Sequence, residues 1–180
     1  SDTLVTDKWL SKIINGFKDP KIGIICPVSN SANQLSVHYN KKYSPAVWAK
    51  YVEGACDNKI IDTVTPVGFC MAITSNCIKA VMGREKRTIP FNPLYGKGYG
   101  EECDFGEVAR ILGYRQVCMT NTFIYHKHSA TFSRIKDIHL IKKRSSQIYH
   151  NKWGHIFKSK QKVWNHTKPL EYLNNLLKKI

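Results

Sequence analysis

The chain has 180 residues, with 28 Lys or Arg against 13 Asp or Glu, and a formal net charge of +15. This length can bury one sizeable core, which predicts one domain with an appendage. The charge favours an anionic partner, without distinguishing nucleic acid, a phosphorylated ligand and an acidic membrane surface. The six cysteines form no CxxC pair and no apolar run reaches membrane-spanning length. We therefore expect the reduced, buried cysteines of a cytosolic protein, with neither a disulfide framework nor a zinc site, and we expect no membrane-spanning segment in this sequence.

The first elements predict an α/β sheet. Thr6 or Asp7 can cap a helix whose apolar residues follow helical spacing and which ends at Asp19-Pro20. The apolar run Ile22–Val28 is typical of a strand that is buried on both faces. A helix that leads directly into such a strand indicates an α/β sheet with a further strand before the helix.

The middle of the chain mixes loops with short elements. Residues 29–43 are polar and have no period, which predicts a loop. Ser44-Pro45 is a typical helix start, and residues 63–74 form a β-branched and aromatic run that predicts a strand. Ser75 is then expected to cap a helix that ends at Gly83.

The most distinctive stretch is residues 95–105, where a glycine-rich loop leads into Glu101, Glu102 and Asp104. Apolar residues with helical spacing follow, and Gly113 supplies a stop. Acids in the first turn of a helix are stabilised by its macrodipole, so the simplest interpretation is that they cap the helix. Crowded like charges also raise one pKa and create a candidate general base, so both interpretations stay open.

The last third contains two predicted strands, residues 115–119 and 123–126, and then a basic tail. His126 ends the second strand, where a histidine is either structural or a metal ligand. The composition changes at Arg134, so we divide the chain into residues 1–133 and a basic helical tail of residues 134–180. The tail is either a charged face on packed helices or an attachment to an acidic membrane, with an apolar face at Tyr172, Leu173, Leu176 and Leu177.

Several motifs, in this order along the chain, resemble the second half of a family-2 inverting glycosyltransferase with the GT-A fold. The acidic stretch and its continuation are similar to the family's acidic motif: Gly100-Glu101-Glu102-x-Asp104-Phe105, then Gly113-Tyr114-Arg115. Three other segments are similar to the family's metal motif, acceptor-side strand and histidine motif: Ser1-Asp2-Thr3, Val67-Gly68-Phe69-Cys70-Met71, and His126 with residues 127–132. Lys152-Trp153-Gly154 is similar to the family's trailing motif.

The resemblance implies a GT-A-like mixed sheet flanked by helices, truncated at its N-terminal side and followed by the helical tail. It implies that a sugar passes from a nucleotide-diphospho-sugar donor to a hydroxyl of a glycan or lipid-linked acceptor, with inversion, in polysaccharide biosynthesis at the cell envelope. The strands that bind the nucleotide would precede this chain, so the isolated fragment is expected to be inactive.

The resemblance also implies roles for single residues. Glu102 would be the general base, and Glu101 would orient or bind the acceptor. Four residues would belong to the acceptor site or the helix cap: Gly68, Phe69, Gly100 and Asp104. Asp2 and His126 would hold a divalent metal, Mn²⁺ or Mg²⁺, on the diphosphate.

Two other classes of function compete with a glycosyltransferase: a basic nucleic-acid-binding module and a non-catalytic interaction module. The sequence contains no helix-turn-helix, zinc-finger or RNP pattern, and the acidic helix start would repel phosphate. We therefore expect a glycosyltransferase that is cytoplasmic or peripheral at the inner face of the cytoplasmic membrane, with nucleic acid as a disfavoured partner.

Overall fold

The computed structural model describes residues 2–56, 60–96, 98–127, 137–166 and 170–180, with the backbone alone for residues 157–166. The chain is of the mixed α/β class, as the sequence predicts. The strands are β1 Thr3–Leu4, β2 Ile22–Val28, β3 Ile60–Asp62, β4 Ala72–Ile73, β5 Arg115–Phe123 and β6 Tyr125–His126. The helices are α1 Trp9–Gly16, α2 Pro45–Gly54, α3 Ser75–Arg84, α4 Glu101–Ile111, α5 Ile138–His166 and α6 Glu171–Leu177.

Four strands form a mixed sheet in the order β3-β5-β2-β4. The central strands β2 and β5 are parallel, while β3 and β4 pair antiparallel at the two edges. All seven residues of β2 are buried, which confirms the prediction from its continuous apolar run. β1 and β6 form a separate antiparallel pair.

Helices cover both faces of the sheet, because alternate residues of its central strands point in opposite directions. On one face, α1 packs against a cluster that contains Ile13, Ile22, Ile25, Val117 and Met119. On the other face, Ile24, Cys26 and Cys118 share a larger core with side chains of the five other helices: Trp48, Val81, Phe105, Trp153 and Leu177, one from each.

Three local predictions are wrong in their details. Lys8 occupies the N-cap position of α1, at φ 55° and without a capping hydrogen bond from its side chain, and Thr6 instead donates a hydrogen bond to the carbonyl of Phe123 at 2.6 Å. The predicted strand at residues 63–74 is restricted to β4, and the preceding strand β3 ends before that run begins. The hydroxyl that caps α3 belongs to Thr74, which accepts from the backbone amide of Cys77 at 3.3 Å.

The described part of the basic tail is packed against the sheet domain. Trp153, Leu170, Leu173 and Leu177 are buried in the same core as the central strands. The apolar face predicted for membrane contact on α6 is therefore largely used inside the fold, and Tyr172 is left 62% exposed. None of the helices in the described ranges is long and apolar enough to cross a membrane.

Candidate functional site

The pairing of β1 with β6 brings together the two predicted metal ligands, which lie at opposite ends of the main domain's sequence. Thr3 is in register with His126, and the amide of Lys127 donates to the carbonyl of Asp2 at 2.8 Å. In this arrangement, Nε2 of His126 lies 3.3 Å from Oδ2 of Asp2. Both side chains are partly accessible, with exposures of 15% for His126 and 26% for Asp2.

The neighbouring loop determines which nitrogen of His126 carries a proton. Nδ1 lies 2.7 Å from the carbonyl oxygen of Ser31, and a carbonyl only accepts, so Nδ1 is the donor. Asn30 fixes the backbone here, because its amide group exchanges two hydrogen bonds with the backbone of His126, at 2.8 and 2.9 Å. The other nitrogen, Nε2, is thereby directed at the Asp2 carboxylate, either as a second N–H or as a lone pair.

Two features of this donor pair match those of divalent-cation sites. A metal-binding histidine commonly donates its other ring N–H to a carbonyl, as His126 does to Ser31. Ligands at adjacent corners of an octahedral Mg²⁺ site lie about 3 Å apart, close to the 3.3 Å between Nε2 and Oδ2. The described residues contain no group of three or more His, Cys, Asp and Glu side chains that would enclose a metal. Two protein donors alone would leave most positions around such an ion to other ligands.

Gly68 and Phe69 connect this pair to the acidic helix. The Phe69 ring stacks on His126, with centroids 5.3 Å apart and an angle of 20° between the ring planes. A Cβ on the adjacent Gly68 would lie 3.6 Å from Cγ of Glu102, which is ordinary van der Waals contact. The structure thus places Asp2, His126 and Glu102 around one short segment of backbone.

The surroundings of Glu102 suit a proton acceptor. Burial, and then the charge of Glu101, raise the pKa of the Glu102 carboxyl above its ordinary value. The amide of Gly100 opposes this shift by donating to Oε2 of Glu102 at 3.0 Å. Gly100 holds this position at φ 101°, a conformation that favours glycine. A carboxylate with a raised pKa is a better base than an exposed one.

Glu101 has a different environment from Glu102. Its Oε2 is buried and has no hydrogen-bond partner within the described residues. A buried acceptor without a donor loses its hydration without compensation, so a hydroxyl brought to it would stabilise it. This placement agrees with an acceptor-binding role for Glu101, which stays a prediction.

The helix-cap role predicted for Asp104 is wrong. Its side chain is fully buried and points to α5, where Oδ1 accepts from the indole N–H of Trp153 at 2.8 Å and forms an ion pair with Nζ of Lys152 at 3.0 Å. The guanidinium of Arg87 lies 3.8 Å from Oδ2. Asp104 therefore joins the acidic helix to the tail, and its distance from solvent argues against contact with an acceptor.

One face of α5 also contacts the glycine-rich loop before α4 and α4 itself. Ser145 donates to the carbonyl of Gly98 at 3.1 Å, and Tyr149 donates to Oε1 of the buried Glu107 at 2.8 Å. The amine of Lys142 lies 4.8 Å from the ring centroid of Tyr99. Residues 142, 145, 149 and 152 recur at helical spacing, which is the signal that sequence reasoning missed. The tail thus supports the segment that carries Glu101 and Glu102.

No protein-family model, curated protein or solved structure matches this chain. Most of the predicted histidine motif, residues 128–132, lies outside the described residues.

Proposed function

We propose that this chain forms the acceptor and metal side of an inverting glycosyltransferase with a GT-A-like fold. The observation that carries the proposal is the placement of Asp2, His126 and Glu102 around Gly68 and Phe69. A cation-binding pair beside a carboxylate with a raised pKa combines the two functions that sugar transfer from a nucleotide donor requires: neutralising a leaving diphosphate and accepting a hydroxyl proton.

Asp2 and His126 are the residues that would hold the Mn²⁺ or Mg²⁺ ion. Bound there, the ion would neutralise negative charge on the donor's diphosphate. The hydrogen bond that Nδ1 donates to the Ser31 carbonyl keeps the histidine ring in one orientation, so that Nε2 stays available to the ion.

Glu102 would accept the proton of the acceptor hydroxyl as the hydroxyl oxygen attacks the anomeric carbon of the donor sugar. The new C–O bond forms as the bond to the diphosphate breaks, so direct attack inverts the anomeric carbon. The exposed backbone of Gly68 beside Glu102 leaves room for a glycan or lipid-linked acceptor to approach.

The base is tested by Glu102→Gln in the full-length protein. We expect turnover to fall by about 10²- to 10⁴-fold while donor binding persists, because a general base acts in the transition state. Glu53→Gln, which removes an exposed carboxylate paired with Lys12, is the matched control and should change neither quantity. Full turnover in Glu102→Gln with loss in Glu101→Gln would instead assign the base to Glu101.

The cation pair is tested by isothermal titration of Mn²⁺ and of a nucleotide-diphospho-sugar. Asp2→Asn and His126→Phe should each weaken Mn²⁺-dependent donor binding, since the first removes the negative charge of the carboxylate and the second removes the ring nitrogen. Unchanged titrations in both variants would refute their assignment. If no nucleotide sugar binds the full-length protein at any Mn²⁺ concentration, a non-catalytic interaction module is the better conclusion.

A further inference from the structure

Residues 98–100, which connect the glycine-rich loop to α4, form a turn with three consecutive positive φ angles. The angles are 120° at Gly98, 70° at Tyr99 and 101° at Gly100. Glycine adopts such angles readily, whereas a tyrosine is strained there, because its Cβ approaches the following carbonyl oxygen. Contacts from outside the turn must therefore stabilise Tyr99 in this conformation.

Two side chains of α5 make such contacts. The hydroxyl of Ser145, a residue that is only 3% exposed, donates to the carbonyl of Gly98 at 3.1 Å. Lys142 lies three residues earlier on the same face of α5, and its amine is 4.8 Å from the centroid of the Tyr99 ring, within the range of a cation–π contact. The helix thus holds two consecutive residues of the turn, one by its backbone and the other by its side chain.

The turn sets the direction of a peptide group that meets the candidate base. The N–H between Tyr99 and Gly100 donates to Oε2 of Glu102 at 3.0 Å. A peptide group is planar and rigid, so rotation of the Tyr99 backbone would swing this N–H away from the carboxylate. The buried ring of Tyr95 lies against Gly100, where a Cβ would come within 3.0 Å of its Cε1. Three residues of backbone therefore connect α5 to the Glu102 carboxylate.

We propose that Ser145 and Lys142 are positioning residues for Glu102, because they hold the turn that presents the Gly100 amide to its carboxylate. A general base must lie within hydrogen-bond reach of the hydroxyl that it deprotonates, and a fixed carboxylate keeps that alignment better than a mobile one. This role rests on the proposed function of Glu102. It gives the basic tail a part in aligning the base, which its charge alone would not predict.

The NMR signal of the Gly100 amide proton in the full chain tests the connection without requiring activity. Glu102→Gln should displace this signal in the wild type, because the amide loses its charged acceptor. In a Ser145→Ala background the same change should displace it by roughly half as much or less, because the amide no longer faces residue 102. Ser146→Ala is the matched control, since Ser146 is exposed on the same helix and its hydroxyl lies 3.4 Å from Nδ1 of His150; it should leave the displacement at its full size.

Lys142→Met is a second variant that should not affect folding, because Lys142 is exposed. It keeps the aliphatic chain and removes the charge beside the Tyr99 ring. It should also diminish the displacement, whereas Lys143→Met, at the exposed neighbouring position, should not. A full displacement in both Ser145→Ala and Lys142→Met would overturn the inference. If Ser145→Ala does not fold, a full displacement in Lys142→Met overturns it alone.

Turnover of the full-length protein tests whether the contact affects the chemistry. Ser145→Ala should lower kcat by roughly tenfold and leave KM for the nucleotide sugar nearly unchanged, because the pair that would hold the metal is untouched. In a Glu102→Gln background the same change should have almost no further effect, since a residue that acts through Glu102 then has no base to position. An equal loss in both backgrounds would indicate a purely structural role and would overturn the inference.

The NMR measurement distinguishes failure of the positioning role from failure of the proposed function. If the displacement is diminished in the variants but the full-length wild type binds no nucleotide sugar, the connection from α5 to Glu102 stands and the proposed function fails. If the displacement stays at its full size while Glu102→Gln abolishes turnover, the glycosyltransferase proposal stands and the positioning role fails.

Discussion

Tyr149→Phe tests whether the tail helix holds the acidic helix through a charged hydrogen bond. The change removes one hydroxyl, which donates to Oε1 of Glu107 at 2.8 Å. The Glu107 side chain is 0% exposed, and Arg110 holds its other oxygen at 2.9 Å. A hydrogen bond to a buried charged group contributes about 1.5–3 kcal/mol, so we expect the free energy of unfolding to fall by that amount. For a chain of this size, each kcal/mol lowers Tm by about 2–4 °C.

Tyr39→Phe is the matched control. The Tyr39 hydroxyl also donates at 2.8 Å, and the residue is also partly exposed, but its acceptor is the neutral carbonyl of Tyr43. Its loss should cost about 0.5–1.5 kcal/mol. Urea unfolding of both variants and the wild type, with equal m-values, measures the difference. If Tyr149→Phe costs no more than Tyr39→Phe, the contact between α5 and α4 does not carry the charged bond described above.

Three further outcomes follow from the same structure. Glu101→Gln should move the acidic limb of the pH profile of kcat/KM to lower pH. Loss of the neighbouring charge lowers the raised pKa of Glu102, so the base stays ionised at a lower pH. An unchanged acidic limb would contradict this coupling. Burial raises the pKa of Cys26 and of Cys77 to about 12. At pH 8, iodoacetamide should therefore label neither thiol in the native protein and both thiols once denaturant is added. Rapid labelling of either thiol in the native protein would contradict their burial. Co-sedimentation with vesicles should increase with the fraction of anionic lipid and decrease with salt, because the positive charge of the tail would be its main attraction to a membrane. Equal binding to neutral vesicles would contradict this electrostatic attachment.

Local sequence patterns were sufficient for the elements whose ends and faces depend on near neighbours. The continuous apolar run of β2 predicts burial on both faces, and all its residues are buried. Ser44-Pro45 predicts the start of α2, and the Ser44 hydroxyl accepts from the amide of Val47. The three acids and the helical spacing after them predict α4, which begins at Glu101. In each case the decisive interactions lie within about one turn of helix or one strand.

Tertiary structure decided which partners the functional side chains meet. The orientation of His126 depends on Ser31, and the direction of Asp104 depends on Trp153, residues that no local period connects. A buried carboxylate needs a donor, so Asp104 turned towards the indole of α5 instead of the amides of its own helix. In the same way, α6 packs much of its apolar face into the core, because removing apolar surface from water is favourable whether a membrane or the rest of the fold covers it. Sequence periodicity thus specified which faces are apolar, and the packing of distant segments specified what covers them.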